Sequence, residues 1–459
     1  MPTGPPLKMT HNEQQKAIIA AFKHAWQAYK EYAWGKDELK SVSHRSSTWF
    51  NLGLTLVDSL DTMWLMGLTE EFNEARNWVA HSMVIAQTKD VNLFETTIRV
   101  LGGLLSAYHL TKDNMFLEKA SDLGDRLLHA FGTSSNIPFS DVNLYTLKPH
   151  APKWGPDSSV SEVTSIQLEF RDLTQLTGTK KYQEAVDKVM ETVQAQARSH
   201  NLVPQFINAQ TGRLSSGTLT LGSRADSYYE YLLKQWLQSG KTEDKFRNWY
   251  LDSVQGIQEV LLSHSEPNKL TFIGEKRGRF SPKMDHLVCF IGGVLALGAH
   301  HGLPSSHLEL GKELTYTCWQ MYERMATGLS PEIVYFNTSP DKTDDITVKA
   351  NDRHNLLRPE TVESFFVLYR LTKDQRYREW GWKIFQAFEK YTKLPNGGYT
   401  SINNVQDTQN PGYRDKMESF FLGETLKYFF LLFCDDDTVL SLDEWVFNTE
   451  AHPLPIWTK

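Results

Sequence analysis

The chain has 459 residues, is 40% hydrophobic and 22% charged, and carries a formal net charge of −7. That length exceeds the roughly 250–300 residues of one compact core, so it implies several domains or one large domain built from repeats. The acidic balance and the lack of a Lys/Arg run argue against nucleic acid as a partner, and no stretch reaches the roughly 20 apolar residues of a membrane span.

The opening "MPTGPPLKMTHNEQQ" lacks the apolar core of a signal peptide. Residues 1–11 read as an N-terminal tail and 12–459 as a single domain. A helical hairpin then recurs along the chain, with a Leu-Thr turn between its halves. The copies are "STWFNLGLTLVDSLDTMWLMGLTEEFNEARNWVAHSM", "FETTIRVLGGLLSAYHLTKDNMFLEKASDLGDRLLHAF", "SEVTSIQLEFRDLTQLTGTKKYQEAVDKVMETVQAQ", "RADSYYEYLLKQWLQSGKTEDKFRNWYLDSVQGIQEVL", "MDHLVCFIGGVLALGAHHGLPSSHLELGKELTYTCWQMY" and "RPETVESFFVLYRLTKDQRYREWGWKIFQAFEKY". A last half, "MESFFLGETLKYFFLLF", follows. The first helix of each pair is apolar nearly all round and the second is amphipathic, which predicts two concentric layers. Six or seven such pairs stack as an open solenoid or close into a ring. The termini lack a polar capping face, so a closed all-α toroid is expected. The long loops hold strand-like pieces such as "LVPQFINAQTGRL" and "KLTFIGEKRGRFS". Each joins an outer helix to the next inner one, so all should lie on one face.

Acidic residues recur where inner helices begin: Glu95, Glu162, Asp226, Glu360 and Glu424, with His286 in the matching place of "KMDHLVCF". Helix capping, worth about 0.3–1 kcal/mol per acid, accounts for any one of them. It accounts less well for a set embedded in apolar runs such as "ESFFVLY". Arg99 and Arg358 partly balance the charge. A ring of carboxylates in an aromatic-rich cavity suits glycoside hydrolysis, in which one acid protonates the leaving oxygen and another activates water or attacks the sugar. No HExxH or phosphate-loop motif is present, and His286, His300 and His301 lack a ligand-like partner set in the sequence. Three cysteines, Cys289, Cys318 and Cys434, allow at most one bridge.

The segments "DSLDTMWLMGL", "FETTIRVLGGLLSAY", "ADSYYEYLLK", "GLSPEIV", "NLLRPETVES", "INNVQD", "DKMESFFLGETLKYFFLLF" and "FNTEAHPL" resemble class I α-1,2-mannosidases, the calcium-dependent inverting enzymes of glycoside hydrolase family 47. The resemblance runs from about Asn12 to the end. It implies an (α/α)7 barrel with β-hairpins in the loops and a C-terminal hairpin plugging one end. It implies that Thr449 of "NTE" ligates Ca²⁺ through its carbonyl and hydroxyl oxygens. Glu95, matching the general acid, and Glu360, matching the base, would be catalytic together with Asp226 and Glu332. Arg99, Glu162, His286, Arg358, Glu363, Phe421, Glu424 and Glu450 would line the terminal-mannose pocket. Cys289 and Cys318 would form the disulfide, leaving Cys434 free. The stretch "SRADSYYEYLLKQW" is similar to the endoplasmic reticulum type, in which Arg224 contacts the oligosaccharide. The expected partners are high-mannose N-glycans on glycoproteins in maturation and quality control. The chain would be a monomeric luminal domain of a type II membrane protein, in the endoplasmic reticulum or Golgi, without its anchor. A mannosidase-like lectin that reads glycans of misfolded proteins is the alternative. If Glu95 and Glu360 face each other across the barrel mouth, they take the wide separation of an inverting pair, about 6.5–9.5 Å.

Overall fold

The Leu-Thr turns have a local cause. Thr111, Thr177 and Thr372 end inner helices, and each hydroxyl donates to the carbonyl four residues back, at 2.7, 2.8 and 2.7 Å. The next residue, Lys112, Gly178 or Lys373, takes a left-handed conformation that stops the helix and reverses the chain. The same short sequence therefore makes the same corner each time.

The computed structural model describes residues 10–458. Of the expected tail, residues 1–9 lie outside them. Among the described residues, the inner helices are Leu60–Leu65, Gly102–Thr111, Gln167–Thr177, Asp226–Gln238, Ile291–His300, Glu360–Thr372 and Leu426–Leu432. Their outer partners are Thr69–His81, Asn114–Leu127, Lys181–Gln194, Asp244–Val260, Ser306–Glu323, Arg376–Tyr391 and Glu13–Ala33. This is an (α/α)7 barrel. The inner layer is buried all round, as in Asp226–Gln238, where every residue from Ser227 onward is buried. The outer layer buries one stripe, as with Tyr182, Val186, Val189 and Val193.

The seventh pair is assembled from the two ends of the chain. The last inner helix has no outer helix after it, and Glu13–Ala33 packs there instead. That helix starts on a capping box, with Asn12 and Gln15 each accepting the other's backbone N–H at 2.9 and 3.2 Å. It presents Ile18, Phe22, Ala25, Trp26 and Tyr29 to the ring.

The loops build short antiparallel strands at one rim. Asp90–Asn92 pairs with Asp141–Asn143, Asp157–Ser159 with Phe206–Asn208, and Lys283–Asp285 with Ile333–Phe336. The first strand of each pair runs directly into an inner helical segment. The C-terminal hairpin, Trp445–Phe447 against Pro453–Pro455, fills the barrel axis and touches inner helices. Gly102 lets it approach, since a Cβ there would lie 2.6 Å from Asn448 Nδ2.

Cys289 and Cys318 are disulfide-bonded, with Cα atoms 5.9 Å apart, and Cys434 is free and buried. The bridge joins an inner segment to its own outer helix across a sequence separation of 29. Replacing both cysteines by serine should lower the unfolding free energy by about 3–4 kcal/mol, the entropy of a loop that long. Denaturant unfolding would measure the loss.

Candidate active site

Each inner helix begins at the rim, so its first side chains point into the mouth. None of the acids there is the capping residue. The capping positions are Asn92, Ser159, Ala225 and Pro359, directly before or near Glu95, Glu162, Asp226 and Glu360. Only Asn92 caps with its side chain, accepting the Glu95 N–H at 2.8 Å. The carboxylates are free to face the cavity.

That cavity has a volume of about 290 Å³. Glu95, Glu162, Asp226, Glu360, Glu424 and Glu450 line it, opposed by the guanidinium groups of Arg99, Arg224 and Arg358. Thr449 also lines it. It stands at the apex of the axial hairpin, whose five-residue turn runs from Asn448 to His452. The Asn448 side chain shapes this turn, accepting the Glu450 and His452 N–H groups at 2.9 and 2.8 Å.

Two of the helices that open here contain π-helical turns, Thr96–Leu101 and Phe421–Thr425, a feature frequent at functional sites. The first carries Arg99, whose Nε donates to Glu95 Oε2 at 2.8 Å. The second corrects an expectation. Phe420, directly before the turn, lines the cavity and Phe421 does not. The Phe420 ring lies under both Arg99 and Arg358, each 5.7 Å from its centroid. Phe421 is fully buried against Phe388 and Tyr399.

Arg358 pairs with Glu332 through Nε at 2.7 Å, although Glu360 is its nearer neighbour in sequence. Burial opposes the charge on Glu332, but the Arg358 guanidinium holds its carboxyl below the usual range. Glu360 instead faces His286, with Oε2 3.2 Å from Nδ1. The other ring nitrogen of His286 meets the Tyr322 and Thr361 hydroxyls at 2.8 and 2.9 Å, which fixes the imidazole plane. Glu363 lies below, lining a small axial cavity with Lys234 and Tyr428. Arg224 has φ +76, a conformation costly for a side-chain-bearing residue. Its guanidinium donates to Ser159 Oγ at 2.7 Å and stacks 4.4 Å over the exposed Trp154 ring.

The site holds more negative charge than its cations balance. Burial pushes Glu162 and Asp226 up to about 7, helped by Glu95 in one case and by Glu230 and Glu360 in the other. Burial also raises Glu424 and Glu450, helped by Glu450 in the first case and by Asp58 in the second. Among the described residues, Glu360 Oε2 and Glu450 Oε1 accept no hydrogen bond. A hard cation, which takes six to eight oxygen ligands, fits such a donor set.

Sequence reasoning missed four residues beneath the cavity: Asp58, Asp61, Lys427 and His452. "DSLDT" and "EAHPL" entered only as matching strings. A lysine inside "TLKYFFLLF", apolar on every side, was the available signal, because a buried ammonium needs an acid. His300 and His301 do gain a partner. With Asp443 they form a cluster whose ligand-type atoms lie within 4.8 Å of one another, at the end of the inner helix away from the rim.

Two outcomes follow from this geometry. Phe421→Ala should cost about 3–5 kcal/mol of stability as a core truncation and leave turnover by the folded fraction intact, whereas Phe420→Ala, at a buried side chain that faces the cavity, should impair turnover even in the folded fraction. Thermal melts beside activity measurements separate the two. Second, Asp226 and Glu162 have ordinary values of 3.8 and 4.5, so the folded chain binds protons more tightly than the unfolded one. Their contribution is complete below about pH 4 and is lost as pH rises through about 7. The Tm of metal-free protein should fall across that window, and Asp226→Asn should flatten the fall.

The family model for glycosyl hydrolase family 47 matches residues 21–456. The chain is 59% identical to the human protein named endoplasmic reticulum mannosyl-oligosaccharide 1,2-alpha-mannosidase, over all of this chain and 67% of that protein. It is 48% identical to an Arabidopsis thaliana protein named mannosyl-oligosaccharide 1,2-alpha-mannosidase MNS3, covering 96% of this chain and 79% of that one. The α-1,2-mannosidase from Trichoderma reesei superposes with a TM-score of 0.90 at 28% identity, covering 97% of this chain and 99% of the other. Fold, cavity and sequence agree that the chain belongs to glycosyl hydrolase family 47.

Proposed function

We propose that the chain is an inverting α-1,2-mannosidase that uses Ca²⁺ to trim terminal mannose from high-mannose N-glycans. The observation that carries this reading is the carboxylate-lined cavity with Thr449 at the apex of the axial hairpin. The names of the similar proteins support the cleavage of α-1,2-linked mannose.

In this reading the Thr449 carbonyl and hydroxyl oxygens hold the cation, and the surrounding carboxylates hold its waters. A cation there supplies fixed positive charge on which the sugar's hydroxyls are oriented. Glu360 acts as the base that takes a proton from the attacking water, oriented by its contact with His286. Glu95, bonded to Arg99, delivers a proton to the leaving oxygen by way of a water. Asp226 and Glu332 complete the catalytic set. Glu162, Glu363, Glu424 and Glu450 bind the terminal mannose with Arg99, His286 and Arg358, and Phe420 takes the place expected of Phe421. Arg224, beside Trp154 at the rim, selects the branch.

The disulfide suits an oxidising compartment. The endoplasmic reticulum lumen fits the relatives' names, and glycoprotein quality control is the setting this reading assigns to the activity. Residues 12–459 act as one catalytic domain and as a monomer.

One experiment tests the whole reading. The protein is incubated with a nine-mannose glycan, with and without chelator, while proton NMR follows the first-formed sugar. Release of β-mannose that stops on chelation and resumes with Ca²⁺ is expected. Initial α-mannose would rule out Glu360 as a water-activating base, and tight glycan binding without release would favour the lectin.

A further inference from the structure

Thr449 has little of its own to hold it in place. Its N–H donates to the Tyr231 hydroxyl at 3.2 Å, and that hydroxyl donates to Glu169 at 2.9 Å. The strong contacts come just after it in the chain. His452 is fully buried, with Nδ1 2.6 Å from Asp61 Oδ2 and Nε2 2.8 Å from Asp58 Oδ1. Burial opposes a charge on the ring, but the carboxylates facing both nitrogens outweigh it and raise the imidazole's proton affinity. Lys427, also fully buried, lies 2.8 Å from Asp61 Oδ1 and donates to the Ala451 carbonyl at 2.7 Å. Ala451 has φ +61, a left-handed conformation costly for alanine that persists only where the surroundings dictate it.

Asp58, Asp61, Lys427 and His452 thus meet in one buried cluster, with Glu450 also against Asp58, and none of the four lines the cavity. Buried ion pairs of this kind add little stability compared with apolar packing. What they impose is direction, since each hydrogen bond has one satisfactory geometry. Here they fix Ala451 and His452, and through the Asn448 side chain, which accepts the His452 N–H, they fix the whole turn. Asp58 also accepts from Ser419 Oγ at 2.8 Å, and Ser419 accepts from Arg99, the partner of Glu95.

We propose that His452, clamped between Asp58 and Asp61 and backed by Lys427, is a positioning residue that sets the Thr449 oxygens for their cation before it binds. This rests on the reading of Thr449 as the ligand. The apex is then preformed, and the cation does not have to order it.

Calorimetric Ca²⁺ titration of the full chain tests this. His452→Gln should weaken Ca²⁺ binding about tenfold or more, in the range seen when groups that orient a ligand are lost. At saturating Ca²⁺, kcat should recover with KM for the glycan unchanged. A general structural defect would lower Tm without changing the affinity of the folded fraction. Lys427→Met should weaken binding likewise, and Lys427→Arg should restore it in part. Thr449→Ala runs in parallel. If it leaves affinity unchanged, the ligand assignment fails. If it weakens binding while folded His452→Gln and Lys427→Met bind as wild type, the positioning role fails. A measurement on unaltered protein covers variants that do not fold. Hydrogen exchange at the Glu450 and His452 amides should be slow before Ca²⁺ is added, and fast exchange that slows only with Ca²⁺ would overturn the proposal.

Discussion

A ring of seven inner helices encloses an axial space, and filling that space is the constraint from which the site follows. The chain fills it with a hairpin rather than with larger side chains. A hairpin has an apex, and an apex has backbone groups that no strand partner satisfies. The structure meets that need with Asn448, Tyr231 and the buried ions below. The apex therefore carries a free oxygen-bearing side chain, Thr449, to the one place where all the inner helices begin. Packing and chemistry meet at this turn.

The carboxylates above are costly for the opposite reason. Acids grouped in a partly buried mouth repel one another, and burial already disfavours their charge. The site answers in two ways. Arg99 pairs with Glu95 and, at 3.8 Å, with Glu450, Arg358 pairs with Glu332, and both guanidinium groups lie over the same Phe420 ring. Burial raises the proton affinity of others, as with Asp226 and Glu162. The environments push the acids apart in proton affinity, and a site that must both give and take protons needs that spread.

Much of this was legible in the sequence. The hairpin repeat, the two layers, the rim loops and the placement of acids at inner-helix starts all follow from local periodicity, which survives folding unchanged. What was not legible depends on longer-range geometry. Phe420, directly before the π-helical turn Phe421–Thr425, lines the cavity, and its neighbour Phe421 packs in the core, a choice between adjacent aromatics that periodicity does not make. Arg358 looked bound to Glu360 by adjacency, yet the strand Ile333–Phe336 starts just after Glu332 and brings it within reach of the guanidinium. The helix Glu13–Ala33 had no partner in the repeat, because its partner lies at the far end of the chain. Asp58, Asp61, Lys427 and His452 come from three separate segments, and only the fold joins them.

The closure of the seventh pair has a consequence for biosynthesis. Glu13–Ala33 must wait for Leu426–Leu432. At ribosomal rates of about 5–20 residues per second, the roughly 390 residues between them take on the order of 20–80 s to appear. Trp26 and Tyr29 find Trp34 at once, but throughout that interval the face of Glu13–Ala33 that packs on Leu426–Leu432 has no native partner. The nascent chain is a long, open arc with adhesive ends. Another arc of the same kind could close against either end as readily as its own, so the ring is most exposed to mispairing while it is being made.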